Sequence, residues 1–153
     1  MKEAIPRFKY HGAIRLAKPL GLLLAEYQDP DFPFSEFDLI LAVPLHRRRL
    51  RQRGFNQATL LARRVSRAHS IPLDSTSLLR TRFTEPQTQL SGPERLKNIR
   101  GAFKVGRPEI IAGKYILLID DVFTTGATVQ ECAKVLVKGG AKRVDVLTLA
   151  RVL

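Results

Sequence analysis

Apolar residues follow two kinds of pattern along this chain: short continuous runs and helical spacings. The runs at 37–43 and 115–119 are typical of strands buried on both faces of a sheet. Helical spacing marks 14–26 and 55–67. Pro19 lies inside the first of these, so that helix is expected to kink, restart or be shorter than its pattern.

The carboxyl-terminal third carries the clearest succession of elements. Strand 115–119 leads through a turn at 120–126 into a helix at 127–137, and a further strand follows at 143–150. A strand, helix and strand in succession form a βαβ unit, which implies parallel strands. With the strand and helix of the first half, and another strand within 73–83, the pattern predicts an α/β fold with a central, mostly parallel sheet flanked by helices.

Residues 84–99 break this regularity. The segment is polar and rich in turn-forming residues, without a clear apolar period, although 93–98 could form a short helix. Long loops of this kind often act as lids. We therefore expect one domain over 1–153, with a helical and hood segment at 1–36 and a core at 37–153. A flexible hood loop would interrupt the core at about 84–102.

Composition restricts the compartment and the partners. Lys and Arg number 26 against 14 Asp and Glu, giving a formal net charge of +12, and such a field attracts polyanions. Cys132 is the only cysteine, so no intrachain disulfide or multi-cysteine metal site can form. Residues 1–13 lack the apolar stretch of a signal peptide, and the apolar runs are too short to span a bilayer. The sequence predicts a cytoplasmic protein.

The candidate chemistry lies directly after strand 115–119. In open α/β sheets, ligands bind beyond the carboxyl ends of the strands, where Asp120 and Asp121 are expected. A turn with Gly126 then feeds a helix, whose first backbone N–H groups can bind a phosphate. The carboxylates would repel that phosphate, but they can accept hydrogen bonds from sugar hydroxyls or help to hold a divalent cation. Together these groups describe a site for a sugar phosphate.

Less specific interpretations of the same residues stay open. The acidic pair could be a solvated turn, and the threonines after it could simply cap a helix. The basic stretch at 46–53 could be a solvated or nucleic-acid-binding run. A Walker A loop is excluded, because it needs two glycines with four residues between them and a lysine after the second.

Residues 115–128, YILLIDDVFTTGAT, resemble the signature of type I phosphoribosyltransferases. The resemblance implies that the protein binds phosphoribosyl pyrophosphate with Mg. It implies that Asp120 and Asp121 face the ribose hydroxyls and help to hold the metal. It also implies a loop around the 5′-phosphate, formed by Phe123, Thr124, Thr125, Gly126, Ala127 and Thr128.

A wider resemblance points to the ComF-type family of late competence proteins. It rests on VPLHRRRLRQRGFNQA at 43–58, on FKYHG at 8–12, and on a dispersed series between Gln87 and Phe103. In this fold the loop after the first core strand contacts pyrophosphate, which implies that role for Pro44, Leu45, His46, Arg47 and Arg48. The same resemblance makes 84–99 the hood over the substrate and suggests catalytic roles for Arg80, Gln87, Arg95 and Asn98, although surface decoration is an alternative for each.

The resemblance also implies a reaction and partners. The activity would be transfer of a phosphoribosyl group to or from a nitrogenous base, with phosphoribosyl pyrophosphate as substrate. The alternative is a nonenzymatic protein that senses this compound, binds nucleic acid or acts in competence and DNA uptake. Nucleic acid, a competence-machinery protein and a second copy of the chain are expected as partners. ComF-type proteins commonly begin with a cysteine-rich zinc segment, which this sequence lacks. Either the protein is a zinc-free member or the chain is a shortened version, and no zinc is expected in this chain.

Overall fold

The computed structural model describes residues 13–84 and 92–151. In chain order the strands are β1 Leu39–Ala42, β2 Leu73–Asp74, β3 Leu78–Arg80, β4 Phe103–Val105, β5 Tyr115–Phe123 and β6 Arg143–Arg151. The α-helices are α1 Ala17–Ala25, α2 Arg47–Arg53, α3 Gln57–His69, α4 Gly92–Ile99, α5 Pro108–Ile111 and α6 Ala127–Lys138. Short 3-10 turns at Ala13–Leu16 and Phe34–Glu36 precede α1 and β1.

Four strands form a central parallel sheet in the order β2-β1-β5-β6. Strands β3 and β4 pair antiparallel in a separate two-stranded sheet. Parallel neighbours require crossover connections, and helices supply them here, with α2 and α3 between β1 and β2 and α6 between β5 and β6. The predicted α/β fold with a parallel sheet flanked by helices is confirmed.

The strands bury both faces, which explains their continuous apolar sequence. On one face, Ile40, Leu117 and Ile119 pack with α1 and α3. On the other, Leu41 and Leu118 pack with a second cluster, contributed by α4, α5, α6, β3 and β4. The sheet is therefore the middle of three layers, and alternate residues along each strand enter different cores.

Several element boundaries differ from the sequence pattern. The first helix begins only at Ala17, after a 3-10 turn, which places Pro19 in the first turn where the missing N–H costs little. The region 73–83 holds two short strands that belong to different sheets. In the segment expected to be a hood loop, α4 extends the predicted short helix by one residue at each end, and 85–91 lie outside the described residues.

The basic stretch after β1 is helical rather than a loop. The Nδ1 atom of His46 accepts a hydrogen bond from the Arg48 backbone N–H at 3.2 Å and caps the start of α2. The helix then continues without a breaker until Gly54, whose left-handed backbone ends it. Within residues 13–84 and 92–151, no helix has the length and apolar character needed to cross a membrane.

Candidate functional site

Strand β5 carries the acidic pair at its carboxyl end. The turn expected at 120–126 was too long, because β5 continues to Phe123 before the chain turns. The physical reason is its pairing: β1 ends beside β5 at Ile119, but β6 continues alongside it, with Asp120 opposite Thr148 and Phe123 opposite Arg151. Both aspartates therefore have extended backbone and lie above the end of β1.

The two carboxylates are not equivalent. Asp120 continues the row of Leu118, which faces the α6 layer, and its charge acts on Arg80 and Cys132 of that side. Its Oδ1 also accepts a hydrogen bond from the Asp121 backbone N–H at 2.9 Å. Asp121 continues the row of Ile119, which faces α1 and α3. A ligand above this strand end would meet the two acids in different surroundings.

The turn that follows consists of Thr124, Thr125 and Gly126. Both threonines are exposed, and Gly126 is buried with a φ of +77°, in the left-handed region that favours glycine. A Cβ at Gly126 would lie 2.7 Å from the Phe123 ring, so the close approach excludes a side chain as well. Helix α6 begins at the next residue, and its first backbone N–H groups face the turn as anion-binding donors do.

The loop after β1 lies next to this strand end. The Val43 N–H donates to the Ile119 carbonyl at 2.9 Å, which sets Pro44 beside the acidic pair. The Asn56 side-chain amide donates to the Val43 carbonyl at 3.0 Å, while its Oδ1 caps the start of α3. The predicted pyrophosphate residues 44–48 thus leave the sheet beside β5, although Arg47 and Arg48 belong to helix α2 and not to a loop.

Helix α2 packs against the segment that follows β3. The guanidinium of Arg48 lies 4.9 Å from the Phe83 ring centroid and that of Arg49 lies 5.6 Å from it. The His46 ring meets the same ring edge-on at 5.4 Å. Phe83 keeps 39% of its surface exposed. The result is an accessible aromatic ring surrounded by cations, at the border of the predicted pyrophosphate loop.

Arg80 is a half-buried cation at the end of β3. Its Nη2 donates to the Thr84 hydroxyl, and its guanidinium lies 5.3 Å from the Phe103 ring centroid. Among the described residues, nothing accepts a hydrogen bond from its buried Nε. Burial, and next the positive charge of Arg49, lower the pKa of Arg80 to about 10, although Asp120 acts in the opposite direction. The surrounding groups therefore offset the positive charge of Arg80 only in part.

The other predicted hood residues are placed less completely. Gln87 lies outside the described residues, as does the side chain of Arg95, whose backbone belongs to α4. The backbone carbonyl of Asn98 accepts a hydrogen bond from Arg82 at 2.7 Å. Of the predicted catalytic set, Asp120 and Arg80 interact electrostatically. The catalytic roles of all of them stay predictions.

The donor set fits a magnesium ion that the ligand shares. No group of three or more His, Cys, Asp or Glu side chains within 13–84 and 92–151 is arranged to hold a metal alone. Mg²⁺ commonly takes one or two protein carboxylates and completes its shell with water and substrate phosphates. Asp120 and Asp121 could supply that smaller share.

Sequence reasoning did not single out three residues that the fold brings to the site. Arg49 lies one residue beyond the predicted pyrophosphate set. Phe83 was assigned to the strand region 73–83, and Thr84 to the polar segment that follows it. A partial signal existed, because a large aromatic residue beside a polar segment usually has a packing partner. The packing partner of Phe83 is helix α2, and only the tertiary structure shows this.

The fold and the strand-end site define a class. The family model for the phosphoribosyl transferase domain matches residues 50–153, and the chain belongs to that family. Its similarity to competence proteins places it in the ComF-type branch, as the sequence motifs predicted.

Two curated relatives illustrate the similarity. DNA utilization protein YhgH of Escherichia coli (strain K12) is 42% identical over 116 residues, which cover 76% of this chain and 50% of that protein. Competence protein ComFC of Bacillus subtilis (strain 168) is 33% identical over 152 residues, covering 99% of this chain and 60% of that protein. The chain therefore spans about half the length of the curated relatives it matches first.

Solved structures show the same fold at lower identity. A glutamine phosphoribosylpyrophosphate amidotransferase from B. subtilis matches with a TM-score of 0.60 and 22% identity, over 90% of this chain and 26% of that one. A purine phosphoribosyltransferase from Pyrococcus horikoshii matches with a TM-score of 0.52 and 20% identity, over 88% and 71% of the two chains. At these identities the likeness supports the fold alone.

Proposed function

We propose that this protein binds phosphoribosyl pyrophosphate with Mg²⁺ and transfers the phosphoribosyl group to or from a nitrogenous base. The observation that carries the proposal is the end of β5, where two carboxylates are followed, within six residues, by a left-handed glycine and the start of α6. Carboxylates suit ribose hydroxyls, and helix-start amides suit a phosphate. A sugar phosphate presents both kinds of group.

Each part of the site then has a task. Asp120 and Asp121 accept hydrogen bonds from the ribose 2′- and 3′-hydroxyls and share the metal. The turn from Phe123 to Thr128 holds the 5′-phosphate through amides and hydroxyls. Residues 44–48 leave the sheet beside this pair and receive the diphosphate, where cationic groups stabilise the charge that develops as it leaves.

In the reaction, the bond between C1′ and the diphosphate oxygen breaks, and the diphosphate leaves with the electron pair. A base nitrogen donates its own electron pair to C1′ and forms the new bond, with an oxocarbenium-like state between. A hood that excludes water protects C1′ from hydrolysis. The protein contributes mainly by positioning and by charge stabilisation.

Calorimetry with phosphoribosyl pyrophosphate and Mg²⁺ tests the site. Asp120→Asn with Asp121→Asn removes both carboxylates, and we expect binding to be lost. Asp29→Asn with Asp31→Asn is the matched control, since it removes two charges from a loop outside the site. Unchanged affinity in the strand-end variant, with the control also unchanged, would refute the ribose assignment.

A nonenzymatic nucleic-acid-binding protein is the second candidate. Helix α2 favours this candidate, because it has five arginines and no acidic residue and borders the exposed Phe83 ring. Cations with an accessible aromatic ring suit a single strand, whose phosphates pair with arginine and whose bases stack. The net charge of +12 supports the same partner.

Two measurements separate the candidates. Pyrophosphate release across a panel of bases, with Mg²⁺ present, would establish the enzyme. No release from any base, together with salt-sensitive binding of single-stranded DNA, would favour the second candidate. Replacing Arg47 and Arg48 with Gln should then flatten the dependence of log affinity on log salt by up to about two units of slope. DNA binding that ignores salt would contradict a phosphate-backbone mode.

A further inference from the structure

We propose that the outer edge of β6 is an interface at which a second copy of this chain pairs antiparallel with the first. Strand β6 is the last strand of the central sheet, and within residues 13–84 and 92–151 no strand pairs with its far side. The strand is nine residues long and carries a row of unpaired backbone N–H and C=O groups on that side. Pairing of two copies would join their two sheets into one.

The middle of this edge lacks the features that usually keep an edge strand from pairing. Charged side chains, proline, bulges and short length commonly protect such strands. Residues 146–150, with the sequence VLTLA, contain no charge and no proline, and the register of β6 against β5 is constant. The opposite edge strand of the sheet, β2, has only two residues. A long edge with an apolar, uncharged middle is a template for another strand unless something covers it.

The charges at the two ends of β6 favour a second copy as that strand. Arg143 pairs with Asp145 at 2.6 Å and with Glu36 at 2.9 Å, so at the amino end one cation faces two carboxylates. Arg151, at the carboxyl end, is exposed, and its guanidinium lies 5.5 Å from the Phe123 ring centroid. An antiparallel copy would bring the acidic end of each strand to the basic end of the other.

The same charges select the register of the pair. In a two-fold symmetric pair, residues equally far from the axis lie opposite each other. An axis through Thr148 places Asp145 of each copy opposite Arg151 of the other. An axis through Leu147 would instead place Arg143 opposite Arg151, which are like charges. Because opposite charges across two strands stabilise the pair and like charges destabilise it, the axis through Thr148 is favoured.

Helix α1 adds an apolar surface on one side of this edge. The odd-numbered residues of β6 face the side that α1 covers, since Leu147 belongs to the core there. Leu23 and Tyr27, about one helical turn apart, line a groove of about 640 Å³ together with residues 146–149. Their exposed fractions are 54% and 41%. With the axis at Thr148, the grooves of the two copies meet at the axis, and each copy covers the exposed side chains of the other.

Sedimentation equilibrium of the full chain tests the interface. We expect the wild type to form a species of twice its 17.2 kDa. Asp145→Arg alone and Arg151→Asp alone each place like charges opposite each other at both ends, and each should weaken the dimer by about tenfold or more. The combined variant exchanges the two charges and should recover the affinity. Arg63→Asp, on the exposed side of α3, changes the net charge as Arg151→Asp does and should dimerise like the wild type.

Disulfide cross-linking with oxidised glutathione tests the register separately. Directly opposite Cα atoms of an antiparallel pair are about 4.5–5.5 Å apart, a distance that a disulfide spans. Thr148→Cys should therefore give a covalent dimer. Ala150→Cys is the matched control, because the two copies of residue 150 would lie four residues apart along the strands, about 13 Å, too far for a disulfide. Cys132 is buried in both variants.

Three results would overturn the proposal. A wild type that stays monomeric at every concentration would show that no second copy covers the edge. A dimer that tolerates both single charge reversals would show that the copies associate through another surface. Cross-linking of Ala150→Cys as readily as Thr148→Cys would exclude the register. None of these results bears on the proposed function, which ligand binding tests separately.

Discussion

Gly126 offers the sharpest test of the phosphate turn, because two separate penalties meet there. An alanine would have to adopt a φ near +77°, and its Cβ would lie 2.7 Å from Cζ and 3.2 Å from Cε2 of Phe123. The ring cannot withdraw freely, since Arg151 lies on it at 5.5 Å and it packs against the α6 core. Gly126→Ala must therefore strain the backbone and displace the ring.

The two penalties can be estimated separately. A left-handed backbone costs a non-glycine residue about 1–2 kcal/mol. Forcing an additional carbon into a packed position costs about 1–3 kcal/mol more. Alanine also restricts the unfolded chain, which offsets about 0.4–1 kcal/mol. The net loss of unfolding free energy is then about 1–5 kcal/mol. For a domain of this size, Tm falls by roughly 2–4 °C per kcal/mol.

Urea unfolding of the wild type and four variants separates the backbone penalty from the packing penalty. Gly113→Ala is the matched control, because Gly113 has a φ of +75° and nothing lies within 4 Å of its added Cβ. It should lose only the backbone part, about 1 kcal/mol. In a Phe123→Leu background, Gly126→Ala should approach the cost of the control, since the opposing ring carbons are gone.

Ligand binding supplies the functional readout of the same change. Displacing the turn should weaken ribose 5-phosphate binding by Gly126→Ala and leave Gly113→Ala unaffected. Equal losses of stability at the two glycines, with no relief from Phe123→Leu, would refute the packing argument. Undiminished ribose 5-phosphate affinity in Gly126→Ala would contradict the assignment of this turn to the phosphate.

Three further predictions concern the surroundings of the site. Arg80→Met should be more stable than wild type below pH 10, because the depressed pKa of about 10 indicates that folding disfavours the charge. The difference in stability should shrink as pH rises from 10 toward 12.5, because the folded wild type loses this proton before the unfolded chain does. Equal Tm values of the two proteins at pH 8 would contradict this. Burial raises the pKa of the Cys132 thiol, so iodoacetamide should label it only after unfolding, and rapid labelling of folded protein would disprove the burial. His46→Ala should cost about 1 kcal/mol by uncapping α2, whereas His46→Asn retains an acceptor and most of the stability; equal losses in urea unfolding would exclude a capping role.

Much of this fold could be predicted because its strands are buried on both faces. Such strands read as continuous apolar runs, and the run at 115–119, followed by a helix and another strand, specifies a βαβ unit without further information. The start of α6 was predicted at the observed residue, since Gly126 marks it. The end of the helix was predicted at 137, and the helix ends one residue later, at Lys138.

Element ends were less predictable where pairing decides them. Asp120 and Asp121 resemble turn residues in the sequence, yet β6 continues alongside β5 and keeps them extended. The stretch 46–53 contained no apolar period to indicate a helix, but a cap at His46 and a left-handed Gly54 define one. The local sequence indicates roughly where a helix or strand ends, and hydrogen bonds to neighbouring elements determine the actual residue.

The sequence by itself determined the chemical groups of the strand-end site, because the acids, the glycine and the threonines lie within nine consecutive residues and a strand followed by a helix fixes their order. The tertiary structure decided which cations join them. Arg49 and Arg80 come from separate elements and meet only because α2 packs against the end of β3 at Thr84. Contacts between residues distant in the chain depend on how layers pack, and no local pattern of polar and apolar residues encodes them.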